Sequence, residues 1–234
     1  MSTRAQNGPS DKSEGKTQSQ TQRATSELRR MIVFGELPAG SDHLETELAE
    51  LLGMSRTPVR EATLMLEAQG LLEVRPRKGV KILSISPDDM EEIYQILTEL
   101  ECLAAERVAE RCTEPAMLEP LRKATRRMEK ALAADDREAW AAADEDFHAS
   151  LVELAGSERL KSIISTYNDQ VRRARALTLF MRPAPTKSTH DHLDLIDALE
   201  KRDRALARSI HREHRIAAKS LMISLLRKHG FHRV

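Results

Sequence analysis

The stretch Asp144-Glu-Asp-Phe-His148 sets a carboxylate and an imidazole four residues apart. On a helix that offset puts both on one face, one turn apart, as two ligands of one cation require. His192 and His214 lie on two later segments that also read as helical. Four such groups converging would give an Asp-plus-three-His site suited to Zn, Ni, Mn or Fe, with positions left open for a further ligand. On spacing alone, an Asp–His pair on a helix is more often a surface pair or a cap, and 8 histidines make chance matches common. His190 and His211 become the ligands instead if the helical register differs, His211 sharing nearly the face of His214 at i,i+3. Arg172, Arg173 and Arg175 fall between the two halves of the set. One of them turned inward would grip a carboxylate bidentately, and the competing reading is a solvated basic face.

A second chemistry-bearing run is Ser55-Arg-Thr-Pro-Val-Arg60. Arg56 and Arg60, at i and i+4, share a helix face, as two guanidiniums must to reach base edges or flanking phosphates together. Thr57 beside them can donate to a phosphate. Some twenty residues on, Arg75-Pro-Arg77-Lys78-Gly79 puts three cations on a turn, where Gly79 lets backbone approach a groove or a phosphate closely. Each arginine alone is as well explained as a surface charge; the ordered combination is not.

The elements that must hold these residues follow from periodicity. Residues 1 to about 22 are rich in Ser, Thr, Gln, Gly and Lys with almost no large apolar side chains, which predicts a disordered tail. Helical spacing then runs through Leu28, Met31 and Ile32 and stops at Phe34-Gly35. A short helix carries Leu44, Leu48, Leu51 and Leu52 on one side and ends at Gly53. Ser55 is placed to cap a third, with Pro58 in its first turn, followed by Val59, Ala62, Leu66 and Gly70. The period then changes: Leu72 to Ile82 alternates apolar and polar residues around Gly79, which reads as a β-hairpin. Three helices and a hairpin predict a winged helix-turn-helix over residues 23–83, in which the start of the third helix enters the major groove.

Residues 84–87 read as a linker, and 88–230 as helical throughout. A long helix starts near Pro87 and carries Ile93, Ile96, Leu97, Leu100, Leu103 and Ala104. Others follow at roughly 114–134, 136–155, 157–181, 187–200 and 203–229. About six helices of this length form an all-α antiparallel bundle large enough for an internal cavity.

Composition agrees with a mostly α chain. Its 234 residues are 40% hydrophobic and only 3% aromatic, which disfavours an aromatic-rich β-sandwich or a stacking platform for single-stranded RNA. Cys102 and Cys112 form no CxxC pair and read as buried apolar residues in a reducing cytosol. No segment approaches the roughly 20 apolar residues of a membrane span, and no leader-like apolar region follows the N-terminus, so a cytoplasmic protein is expected. The 37 Lys+Arg balance 37 Asp+Glu. That neutrality does not exclude DNA, because cations concentrate at Arg56, Arg60, Arg75, Arg77, Lys78 and Lys81; it predicts weak non-specific binding and a modest salt slope.

Residues 44–82, LETELAELLGMSRTPVREATLMLEAQGLLEVRPRKGVKI, closely resemble the winged helix-turn-helix of the GntR family of bacterial transcription regulators. SRTPVREA, then LExxGLL and a wing glycine, carry the likeness. It implies operator contacts from Arg56, Thr57 and Arg60, with Gly79 entering from the wing, where the residue types already suggest Arg77 and Lys78 as DNA contacts. Thr46 stands where many members carry an arginine, which implies a weaker contact there. Residues from about 88 to 228 look like the all-helical ligand-binding domain of the FadR-like branch, through Asp144, His148 with Leu151 to Gly156, Ser188 with His192, and His214. In metal-binding members of that branch these four positions hold a divalent cation at the floor of the effector cavity. Ser157 stands where Asn is frequent, and Leu97 where many relatives place an arginine for an acidic effector.

The resemblance implies a homodimeric regulator, not an enzyme. It would bind palindromic double-stranded operator DNA and respond to a small carboxylate-containing effector held by the metal, Ser188 and an arginine. Two alternatives are a metal-dependent enzyme using the Asp/His site, with Glu145 and Asp146 adjoining it, and a regulator whose metal is purely structural.

Overall fold

The computed structural model describes residues 18–230. The N-terminal unit opens with α1 (Gln20–Val33), whose start is fixed by a reciprocal cap: the Ser19 hydroxyl accepts from the Gln22 amide, and the Gln22 side chain accepts from the Ser19 amide. The helix thus begins inside the stretch whose composition suggested a disordered tail through residue 22; local capping outweighs the polar composition there. Residues 1–17 of that expected tail lie outside the described residues. Ala24, Leu28, Met31 and Ile32 form the buried stripe of α1.

A two-residue strand, β1 (Asp42–His43), leads into α2 (Glu45–Leu52), and Gly53 ends α2 in the left-handed conformation at φ 62°. Next come α3 (Arg56–Glu67), β2 (Leu72–Arg75) and β3 (Gly79–Ile82). The expected hairpin is therefore part of a three-stranded antiparallel sheet in the order β1-β3-β2, with Asp42 opposite Lys81 and Val74 opposite Val80. β1 is too short to leave a period in the sequence. It explains the wing glycine, since a Cβ at Gly79 would stand 2.2 Å from the His43 carbonyl oxygen, at φ +84°. Leu28, Ile32, Leu48, Val59, Leu66, Leu71, Val80 and Ile82 close the core. Leu44 and Leu51, expected on the buried side of α2, are exposed; Ala49 packs inward with Leu48 instead.

Six helices follow: α4 (Pro87–Arg111), α5 (Glu119–Ala133), α6 (Arg137–Leu154), α7 (Glu158–Thr178), α8 (Thr186–Glu200) and α9 (Arg204–Lys228). Four of the six starts are set by side-chain caps, in which Ser86, Asp136, Ser157 and Asp203 accept from the backbone amides of Asp89, Ala139, Leu160 and Leu206. α4 packs along α9, α5 along α6, and α8 against α9. Tyr94, Leu97, Phe147, Leu151, Leu195, Leu199, Met222 and Leu226 fill the core. On α4, Ile96 and Leu103 face outward, and the inward positions between them include Thr98, Glu101 and Cys102. Leu97 is core, so the bundle has an aliphatic side chain where the resemblance suggested looking for an arginine.

The two units meet on α7. Arg29 of α1 bonds to Asp169 at 2.6 Å and donates to the Gln69 side chain. The Gln170 amide donates to the Gln69 carbonyl at 2.9 Å and covers Gly70. Arg173 donates to the Leu83 carbonyl, just after β3, at 2.5 Å.

Candidate functional site

Two regions gather the chemistry. On the helix-turn-helix, Arg56, Thr57 and Arg60 are exposed along the start of α3, while Thr46 on α2 is half-buried beside the Gly53 turn. Pro58 and Val59, between the two arginines, are buried and anchor the helix under them. Arg56 has only a loose 4.0 Å contact with Glu45, and Arg60, Arg77 and Lys78 have no ion-pair partner among the described residues. Ser55 occupies the cap position, but its hydroxyl receives no hydrogen bond from the first turn. At the wing, Arg77 adopts φ 65°, an uncommon conformation for a residue with a side chain, which turns it and Lys78 into solvent. Arg75, read from the sequence as a third wing-tip cation, instead bonds to Glu73 and Asp42 across the sheet.

Within the bundle, Asp144 and His148 of α6, His192 of α8 and His214 of α9 converge, one ligand-capable atom of each lying within 4.8 Å of the others. His192 Nε2 is 3.4 Å and His148 Nε2 3.8 Å from Asp144 Oδ1. All four side chains are buried or nearly so. Asp144 Oδ1 and the Nε2 atoms of His148, His192 and His214 are all buried with no hydrogen-bond partner. Four orphaned acceptors facing one point would be costly unless something electron-poor sits among them.

The opposite ring nitrogens are each occupied. His192 Nδ1 donates to the Ser188 carbonyl at 2.5 Å, His148 Nδ1 donates to Glu101 Oε2 at 2.8 Å, and His214 Nδ1 lies 3.5 Å from Asp191 Oδ2. A carbonyl or carboxylate oxygen can only accept, so Nδ1 of His192 and His148 carries a proton, and in the neutral ring the lone pair is then on Nε2. Burial pushes His192 down to about 4 and holds His211 and His214 below the ordinary histidine value. Burial alone would raise the Asp144 carboxyl, but Arg175, donating to Oδ2 at 2.6 Å, and the surrounding imidazoles hold it far below the usual carboxylate range. Neutral imidazoles with free Nε2 atoms beside an ionised carboxylate fit a divalent ion of the Zn, Ni, Mn or Fe type.

A second group, Glu101, His148 and His211, also meets the spacing a cation needs. Its atoms, however, already bond to one another: His211 Nε2 donates to Glu101 Oε2 at 3.1 Å, and Arg215 lies 3.3 Å from Oε1 while covering the Tyr94 ring. This is a hydrogen-bonded charge network, in which Arg215 would repel a second cation. His211 thus belongs to the network and not to the quartet, and His190 is exposed.

Of the candidate effector residues, Arg175 alone among the three arginines reaches the quartet. Arg172 pairs with Glu145 and lies over Phe34, and Arg173 is turned to the Leu83 carbonyl, because α7 presents those positions to other neighbours. Ser188 contributes its backbone carbonyl. Glu145 and Asp146 face outward to Arg172 and Arg127, so neither stands at the site as a general base. Sequence reasoning missed Glu101, Asp191, Tyr94 and Arg182, the last two lying beside Arg175 and Asp144. The buried Glu101 on an apolar helix face was the one available signal.

Comparison with known proteins follows the same division. Residues 20–82 match the description "Bacterial regulatory proteins, gntR family", and residues 92–217 match the FCD domain. An uncharacterised HTH-type transcriptional regulator from the TAR-I ttuE-ttuC′ intergenic region of Agrobacterium vitis is 43% identical over 130 residues, 55% of this chain and 76% of its own length. A probable D-xylose utilization operon transcriptional repressor of Paenarthrobacter nicotinovorans is 33% identical over 186 residues, 78% of this chain and 81% of its own. The solved structure of E. coli McbR/YncC superposes with a TM-score of 0.75 at 23% identity, covering 89% of this chain and 99% of that one, a likeness of fold. No helix among the described residues is long and apolar enough to cross a membrane. With a helix-turn-helix matched at one end and an FCD domain filling the bundle, the chain belongs to the GntR family of bacterial transcription regulators, and its relatives are regulators rather than enzymes.

Proposed function

We propose that this regulator is a cytoplasmic homodimer whose affinity for a palindromic operator is set by a small organic acid bound at a divalent metal. The metal ligands are Asp144, His148, His192 and His214. The observation that carries this reading is the set of four buried, partnerless donor atoms aimed at one point. A divalent ion held there supplies a Lewis-acidic position to which a carboxylate can bind. Arg175 is the side chain placed to receive that carboxylate, exchanging its bond to Asp144 Oδ2 for one to the ligand.

DNA contact falls to Arg56, Thr57 and Arg60 on α3, with Thr46 on α2 and Arg77, Lys78 and Gly79 at the wing. The same helix that carries Arg175 carries Asp169, Gln170 and Arg173, which hold the DNA-binding unit at Arg29, Gln69 and Leu83. A ligand that repositions Arg175 therefore acts on the element to which that unit is fastened. Coupling of this kind is reciprocal, so operator DNA should weaken effector binding by the same factor.

The test is metal analysis of the purified protein, followed by thermal-shift screening of mono- and dicarboxylates and gel-shift titration with any acid that binds. The expected result is one metal per chain and an acid that alters operator affinity only when metal is present. A His192→Ala variant that melts lower yet keeps full acid-dependent DNA release would make the metal purely structural. Consumption of the acid on prolonged incubation would overturn the regulatory reading in favour of an enzyme.

A further inference from the structure

The three imidazoles of the quartet are backed unequally. Behind His192 stands a backbone carbonyl one turn earlier on its own helix. Behind His214, at 3.5 Å, stands Asp191, a carboxylate shared with the exposed Lys187. Behind His148 stands Glu101, which comes from a different helix, α4, and is 3% exposed. Glu101 is itself secured on both oxygens: Oε2 accepts from His211 as well as His148, and Oε1 faces the Arg215 guanidinium. A buried carboxylate on that scale of support is costly to maintain unless its charge is used.

We propose that Glu101 is the positioning residue of the metal centre: it fixes His148 as the Nδ1–H tautomer and turns its Nε2 lone pair toward Asp144, His192 and His214. This rests on the metal reading above and deepens it. A carboxylate accepting from the far nitrogen makes an imidazole a stronger donor than a carbonyl does, and orients the ring. His211 and Arg215 then act through Glu101, holding it ionised and in place. The alternative, that Glu101 is itself a ligand of a second cation with His148 and His211, is disfavoured because all three atoms already have partners and Arg215 stands beside them.

The experiment compares the wild type with Glu101→Gln, of nearly the same shape and without the charge. Metal-free protein is titrated with Zn²⁺ against a competing chromophoric chelator. The His148 tautomer is read separately by ¹⁵N NMR on histidine-labelled, metal-free protein near pH 7.5. Expected are one Zn²⁺ per wild-type chain, His148 protonated at Nδ1, and in the variant an affinity lower by about 10–100-fold with a mixed tautomer. Should Arg215, left unpaired, prevent folding, Glu101→Gln combined with Arg215→Met removes the stranded cation and asks the same question. Wild-type affinity with an unchanged tautomer in the variant overturns the assignment. So does a wild type that takes up two Zn²⁺, the second lost in His211→Ala, because Glu101 would then be a ligand. A wild type that binds no Zn²⁺ overturns the metal reading instead, and the tautomer of metal-free protein still decides what Glu101 does to His148.

Discussion

The exposed cations of the helix-turn-helix and the quartet in the bundle solve opposite problems. Arg56, Arg60, Arg77 and Lys78 stand in solvent, where water satisfies them, so on the proposed function they need only a rigid base beneath them. Asp144, His148, His192 and His214 are withdrawn from water, and each needs a partner at all times. Solvent-facing recognition groups can therefore be replaced singly with little effect on folding, whereas the buried set acts as a unit.

Acid should separate the two regions most sharply. In chelator-treated protein, His192 has a folded value of about 4 against 6.5 as its ordinary value, so the unfolded chain binds more protons between the two. Stability from the neutral imidazoles is full above about 6.5 and lost as the pH falls toward 4, on the order of 3 kcal/mol for His192 alone. His211 and His214, and the lowered carboxyls of Glu101 and Asp144, push the same way. A melting temperature that stays flat across that window would dissolve the contrast. Next in size, His192→Ala should weaken Zn²⁺ binding by more than about 100-fold, beyond what loss of an outer partner costs, while leaving operator binding of metal-free protein unchanged. Arg60→Ala should do the reverse: operator affinity falls by about 1–3 kcal/mol with relaxed sequence preference, and the melting curve does not move. A gel-shift titration and a thermal melt on the same sample check both halves. Smallest is Lys78→Ala, which should lower affinity about equally for all sequences and reduce the salt slope by about 1.

The same contrast decided what could be read from the sequence. The turn and the start of α3 were legible because their apparatus is local: Gly53, Arg56, Pro58 and Arg60 lie within one turn and one helix. Helix boundaries in the bundle were legible for the same reason, since Ser86, Asp136, Ser157 and Asp203 are caps whose effect ends within three residues. The Asp144–His148 pair announced itself by spacing, but its meeting with His192 and His214 depends on how α6, α8 and α9 pack. Glu101 stood out only as a carboxylate on an apolar helix face, because nothing near it in sequence says that α4 turns it toward α6 and α9. The three arginines of α7 show the limit most plainly: neighbours in sequence, they point to the quartet, the Leu83 carbonyl and the surface. The two-residue β1 strand was likewise beyond any period, although Gly79 recorded its presence.

Gln170 lies so close over Gly70 that a methyl group there would meet its amide nitrogen at 2.7 Å, at a backbone φ of +68°. On the proposed function, that contact defines a class of alleles. Substitutions at Gly70, Gln170 or Arg173 leave the recognition helix, the wing and the quartet intact, and loosen only the seat between them. A screen for strains that have stopped answering the inducing acid, yet still occupy the operator, should return these positions, far from both binding sites and silent in any assay that examines either one alone.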